Sequence, residues 1–148
     1  MHAEVELSLN FDIKGRNFSK AGTISTKIKE ILQELGIPMS IIRRTAIAAY
    51  EAEMNVVMYA DKAKLTLCLT PAGISIIIND EGPGIEDIKQ AMEEGFSTAT
   101  DEIREMGFGA GMGLPNIKKN SDKMKISSIP GKGTSLDIFF NLSKVSEQ

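Results

Sequence analysis

The sequence predicts an α+β fold, a two-layer α/β sandwich in which a mixed, mostly antiparallel sheet carries helices on one face. Three observations predict it: a two-residue apolar alternation near the start, two segments of helical apolar period after it, and two pairs of strand-like runs, each joined by a Pro-Gly turn. In "EVELSLNFDI" the residues Val5, Leu7, Leu9, Phe11 and Ile13 fall on one side of a half-buried strand. From Gly22 to Leu35, Ile24, Ile28, Ile31, Leu32 and Leu35 recur at helical spacing, and Gly36 with Pro38 supplies the stop. Ser40 is the expected cap of a longer helix through Tyr59, apolar on more than one side and therefore central.

The runs "KLTLCLT" and "GISIIIND" flank Thr70-Pro71-Ala72-Gly73, which has the proline-second, glycine-fourth preference of a type I turn. Ile74 to Ile78 is apolar enough for a middle strand. A second hairpin follows a long polar stretch, with "MKISSI" and "TSLDIFFNL" flanking Pro130-Gly131-Lys132-Gly133.

A chain of 148 residues supports one core, so residues 1–148 are read as a single domain. The formal charge of -3, with Arg43-Arg44 and Lys118-Lys119 as the only basic clusters, argues against a nucleic-acid partner; both clusters read as solvated helix faces. Cys68, the single cysteine, sits in an apolar alternation where it can act as a small buried hydrophobe. His2 is the only histidine, which excludes a histidine triad or a His-rich metal site within the fold. The charged N-terminus lacks the apolar core of a signal peptide, and no run approaches the ~18 apolar residues of a membrane helix, so a cytoplasmic protein with no membrane partner is expected.

Three clusters carry candidate chemistry. In "YEAEMNVV", Glu51 and Asn55 are four residues apart and share a helix face, while Glu53 points elsewhere; the pair is either a solvated stripe or the polar part of a site. "IIINDEGPGI" delivers Asp80 at the end of an apolar strand, followed by Gly82 and Gly84, either as a tight turn or as a place where backbone approaches a ligand. "GFGAGMGLPN" places Gly107, Gly109, Gly111 and Gly113 ahead of a helix whose first turn includes Pro115. The spacing matches neither the dinucleotide fingerprint nor the Walker loop. Backbone donors at that helix start, with the positive end of its dipole, suit a phosphate.

Together these segments resemble the histidine-kinase-like, or Bergerat-fold, ATPases of the gyrase, heat-shock chaperone and sensor kinase superfamily. "EAEMN" resembles the N box, "DEGPG" the first glycine box, "GFGAGMG" the second, and "PGKGTSLDIFF" the closing hairpin with Thr134; the resemblance runs from Ile24 to Phe140. The small size and the "SIPGKGTSL" close are most similar to anti-sigma-factor serine kinases and switch kinases. Glu53 departs from the family, which more often has an uncharged residue there.

The resemblance implies ATP and Mg²⁺ as cofactors, with Glu51 as general base and Asn55 supplying an oxygen to the metal. It implies that Asp80 reads the adenine amino group, helped by Thr134 directly or through water. Gly82, Gly84, Ile85, Gly107, Gly109, Gly111, Met112, Gly113 and Leu114 complete the nucleotide-binding set. Ala91 to Met106 would form a lid, in which Arg104 is the only basic side chain and reads as a solvated surface residue. The implied function is an ATP-binding regulatory protein, a serine/threonine kinase phosphorylating a separate small partner protein of the antagonist or sigma-regulatory kind. Two alternatives stand beside it: an ATP-gated protein-binding module with little catalysis, and a stand-alone histidine-kinase-type domain acting on a partner. Relatives of this size often pair as homodimers through the face holding the first strand and helix.

Overall fold

The computed structural model describes residues 7–97 and 113–142. Five strands form one sheet: β1 (Leu7–Lys14), β2 (Lys62–Leu69), β3 (Gly73–Glu81), β4 (Lys123–Ile129) and β5 (Gly133–Asn141), in the spatial order β1-β2-β3-β5-β4. Among the described residues every neighbouring pair is antiparallel, in line with the mostly antiparallel sheet expected. The helices are α1 (Thr23–Glu34), α2 (Met39–Tyr59), the single turn α3 (Ile88–Ala91) and α4 (Gly113–Asn120), with a short 3-10 turn at Phe18–Lys20. Val5 and His2 lie outside the described residues.

The register explains the apolar alternation. Phe11 opposes Leu65, which opposes Ile78, then Leu136, then Ile126; one row away stand Leu9, Leu67, Ile76, Ile138 and Met124. These rows face the helices, and their central members are buried. β3 is the middle strand, as the run Ile74 to Ile78 predicts, and each of Ile74, Ile76 and Ile78 is buried. The other face is mixed, with Ile77 and Phe139 beside polar pairs, Thr66 donating to Asn10 at 2.7 Å and Ser135 to Asn79 at 2.7 Å. Cys68 belongs to that face, half-buried and 3.8 Å from Ser8 Oγ, because Leu67 and Leu69 take the inward positions; it is not the core hydrophobe expected.

α2 is central, packing on α1, α4 and three strands. It starts one residue ahead of the expected cap. Pro38 stands at the N-cap with its carbonyl accepting from Ile41 and Ile42 at 3.0 and 3.1 Å, so Ser40 lies inside the first turn and makes no cap bond. Proline reaches the helix from extended backbone and needs no N–H there. α1 ends as the sequence indicates: Gly36 adopts φ 73°, and Gly36 and Ile37 donate to Gln33 and Leu32 at 3.1 Å each, closing the last turn. Arg44 differs from its expected solvated role. It pairs with Asp122 at 3.5 Å and donates to the Asn120 carbonyl at the end of α4, fastening α2 to the start of β4.

Candidate functional site

α2 carries Glu51 and Asn55 one turn apart on the side that meets the start of α4. A Cβ added at Gly113 would stand 3.0 Å from Asn55 Oδ1 and 3.3 Å from Glu51 Oε2, so the first residue of α4 lies directly over both side chains. The bare backbone at Gly113 is what allows this approach. Pro115 and Ile117 anchor the same helix in the core.

Glu53 points away from this pair, as the helical period requires, and is buried with 1% of its surface exposed. Its carboxylate accepts the N–H groups of Gly22 at 3.0 Å, Ile24 at 3.3 Å and Ser25 at 2.9 Å. α1 has no side-chain cap of its own, so Glu53 supplies one from the neighbouring helix. This function was not legible in the sequence, where Glu53 registered only as a departure from the family pattern. The cap is made between helices and leaves no local spacing signal.

The end of β3 brings Asp80 to the opposite end of the site, where Asp80 Oδ1 accepts the N–H of Thr134 at 2.9 Å. The turn after it is sewn to the β4–β5 hairpin. Gly82 N–H donates to Lys132 at 3.0 Å, Gly131 N–H to Pro83 at 2.7 Å, and Ile85 N–H to Ser128 Oγ at 2.7 Å. The glycines form a tight turn packed closely on other segments of the chain. Gly84 has φ 74°, and a Cβ there would lie 2.5 Å from the Ile129 carbonyl oxygen; Gly82 instead lets Ala60 approach, 2.9 Å from its would-be Cβ.

One cavity of about 630 Å³ joins the two ends, within the range typical of small-molecule sites. Glu51, Asn55, Asp80, Gly84, Ile85, Gly113, Leu114 and Thr134 all line it, whereas Gly82 does not. Apolar side chains such as Met54, Ile78, Ile126 and Leu136 also line it, Ile78 and Leu136 two residues along their strands from Asp80 and Thr134. Phe96 and Ser97, from the expected lid, also reach it. Gly107, Gly109, Gly111, Met112 and Arg104, with the rest of the lid from 98 onward, lie outside the described residues.

Burial raises the Glu51 carboxyl above its ordinary pKa, and a hydrogen bond to the Asn116 side chain opposes part of that rise. Asn116, one turn into α4, is a residue that the sequence reading missed. Its only signal is a position three beyond Gly113, on the same short helix. Burial likewise raises Asp80, opposed by the Thr134 N–H. A half-buried carboxylate with raised proton affinity at one end, and an acceptor in apolar surroundings at the other, can serve proton transfer and base recognition respectively. Among the described residues no three His, Cys, Asp or Glu stand together as a metal cluster, and no helix is long and apolar enough to cross a membrane.

Residues 41–144 match the family model described as histidine kinase-, DNA gyrase B-, and HSP90-like ATPase. The chain is 33% identical over 112 residues to the serine/threonine-protein kinase RsbT of Bacillus subtilis, covering 73% of this chain and 78% of that protein. It is 33% identical over 133 residues to the anti-sigma F factor of a Thermoanaerobacter species, covering 86% and 87%. Among solved structures, the SiaB-SiaC complex from Pseudomonas aeruginosa contains a chain of the same fold, with a TM-score of 0.61 at 14% identity over 92% of this chain and 89% of that one. A histidine kinase domain from Erythrobacter litoralis aligns with a TM-score of 0.52 at 15% identity, over 84% of this chain and 62% of that one.

Proposed function

The chain belongs to the histidine kinase-, DNA gyrase B- and HSP90-like ATPase family, and from that premise we propose that it is an ATP-dependent serine/threonine protein kinase, acting in the cytoplasm on a separate small regulatory protein. The observation that carries the reading is the single cavity with Glu51, Asn55 and Gly113 at one end and Asp80 with Thr134 at the other. A nucleotide has the same polarity: a flat base that prefers apolar surroundings with one placed acceptor, and phosphates that prefer backbone donors at a helix start.

In this reading Asp80 accepts from the exocyclic amine of adenine. A 6-oxo base would put two acceptors face to face and leave both unsatisfied. Asn55 fits the metal that accompanies a triphosphate. Its neutral amide offers one hard oxygen, and Mg²⁺ takes most of its remaining ligands from phosphates and water. When bound, ATP supplies the phosphoryl group: the acceptor hydroxyl oxygen bonds to the terminal phosphorus as the bond to the bridging oxygen breaks and ADP leaves. Glu51 takes the hydroxyl proton, a role worth about 10²–10⁴-fold. Asn116 holds the Glu51 carboxyl, and Gly113 keeps the start of α4 close above it.

Phosphorus-labelled ATP, magnesium and soluble protein from the source cells, followed by mapping of labelled positions, tests the reading. Label on a partner's serine or threonine, lost in Glu51→Gln with ATP affinity retained, is the expected result. Label on histidine would assign the chain to the histidine-kinase type. ATP binding without any transfer would make it a nucleotide-gated binding module.

A further inference from the structure

The helix that carries Glu51 and Asn55 into the cavity also has an uncovered outer face. Arg43, Ile47, Glu51 and Asn55 recur every four residues, so they form one ridge along α2. Its first half lies in the open. Arg43 is exposed, Ile47 is 39% exposed, and beside them stand Met39 and Tyr50, the latter 40% exposed. Met39, Ile47 and Tyr50 are three of the five large apolar side chains exposed among the described residues, so most of that uncovered apolar surface is on this one helix. The ridge then enters the cavity, which Tyr50 and Glu51 both line.

Arg43 stands in this stripe without a counter-charge. The residues three and four away on α2 are Met39, Ser40, Ala46 and Ile47, none of them acidic, and among the described residues Arg43 enters no ion pair. The structural tie to Asp122 belongs to its neighbour Arg44.

We infer that the stripe is the docking surface for the phosphoacceptor protein, and that it takes an extended segment of that partner with an apolar side chain about two residues, and a carboxylate about four residues, from the serine or threonine that receives phosphate. The inference rests on the kinase reading of the cavity. Ile47 and Arg43 stand four and eight residues before Glu51, about 6 and 12 Å along a helix rising about 1.5 Å per residue. An extended segment rises about 3.3 Å per residue, so it covers those distances in about two and four residues. Alternate residues of an extended chain point the same way, so the acceptor hydroxyl, the apolar side chain and the carboxylate all face α2 together. The apolar side chain covers Ile47 and Tyr50, and the carboxylate meets the Arg43 guanidinium. A segment that satisfies the stripe thereby brings its hydroxyl to Glu51.

Transfer from phosphorus-labelled ATP to soluble protein of the source cells, at limiting acceptor, tests this in the parent, Arg43→Glu, Ile47→Ser and, as a control at an exposed apolar residue elsewhere, Leu35→Ser. ATP calorimetry and thermal unfolding accompany each. Labelling of the acceptor is expected to slow about tenfold in Arg43→Glu and about fivefold in Ile47→Ser, with ATP affinity and unfolding at parent values, while Leu35→Ser labels as the parent does. The mapped acceptor carries an acid about four residues from the labelled hydroxyl; replacing that acid by lysine slows labelling by the parent and restores it for Arg43→Glu. Parent rates in both stripe variants, or no recovery on exchanging the charges, would overturn the inference. So would a photo-cross-linking side chain at position 47 that joins only a second copy of the chain or its own residues 98–112. A parent that binds ATP and labels nothing would instead overturn the kinase reading.

Discussion

The Ser25 N–H donates to the Glu53 carboxylate at 2.9 Å, tying the first turn of α1 to the helix that carries Glu51 and Asn55. With Gly22 and Ile24 also bound, Glu53 satisfies two of α1's first-turn donors and the N-cap N–H, and its charge complements the helix dipole, while buried from water. Bonds to a charged group contribute about 1.5–3 kcal/mol. Glu53→Gln should therefore lose about 2 kcal/mol of stability in urea unfolding, and Glu53→Ala more. An unchanged urea midpoint would show that α1 does not depend on this cap.

Glu51 and Asp80 give a stability dependence of definite sign. Both carboxyls are raised in the folded chain, chiefly by burial, so the folded state holds their protons more tightly than the unfolded one. Their favourable contribution is complete below the ordinary carboxylate pKa and is lost as pH rises through the raised folded values. Glu51→Gln and Asp80→Asn should each raise the urea midpoint at neutral pH, with the gain vanishing in acid. A gain that persisted in acid would have another cause.

In the proposed mechanism, with Glu51 as the base, the same rise shapes the pH profile of phosphoryl transfer. A base must be ionised to accept a proton, so the acid limb of the rate should lie above the ordinary range of a glutamate side chain. A limb at the unperturbed glutamate value would dissociate the rate from Glu51.

In the proposed nucleotide site, Asp80→Asn places a donor opposite an amine that already donates. Loss of the acceptor should cost about 2 kcal/mol, roughly thirtyfold in the ATP dissociation constant. Calorimetry measures it directly, and full affinity in the variant would remove Asp80 from base recognition.

Gly84 stands where a side chain is excluded twice, by its positive φ and by the Ile129 carbonyl. Gly84→Ala should destabilise by about 2 kcal/mol and weaken nucleotide binding, because Ile85 beside it lines the cavity. Wild-type unfolding of this variant would mean that the turn is free of the hairpin.

The strands were readable because β1 and β2 alternate and β3 is a bounded apolar run, and the turns because proline and glycine occupy the positions their geometry demands. Glu51, Asn55 and Asp80 were legible as a helix pair and a strand-end carboxylate ahead of glycines. Glu53, Asn116 and Ser128 were not. Each acts across elements far apart in sequence, Glu53 on α1, Asn116 on α2, and Ser128 on the turn after β3, where no local period reports the partner. Cys68 and Ser40 erred for a related reason: an alternation shows two faces without saying which is inward for each member, and a capping residue nearby does not oblige the chain to begin its helix there.

β5 follows every other described strand in the chain, yet it is an inner strand, lying between β3 and β4. During synthesis the earlier strands must wait with the β3 edge bare until the last hairpin leaves the ribosome and inserts. Thr134 and the hairpin that clasps the Asp80 turn arrive only with that insertion, so a nascent or prematurely terminated chain lacks the Thr134 wall of the cavity. Completion of the cavity is in this way deferred until translation has passed β5.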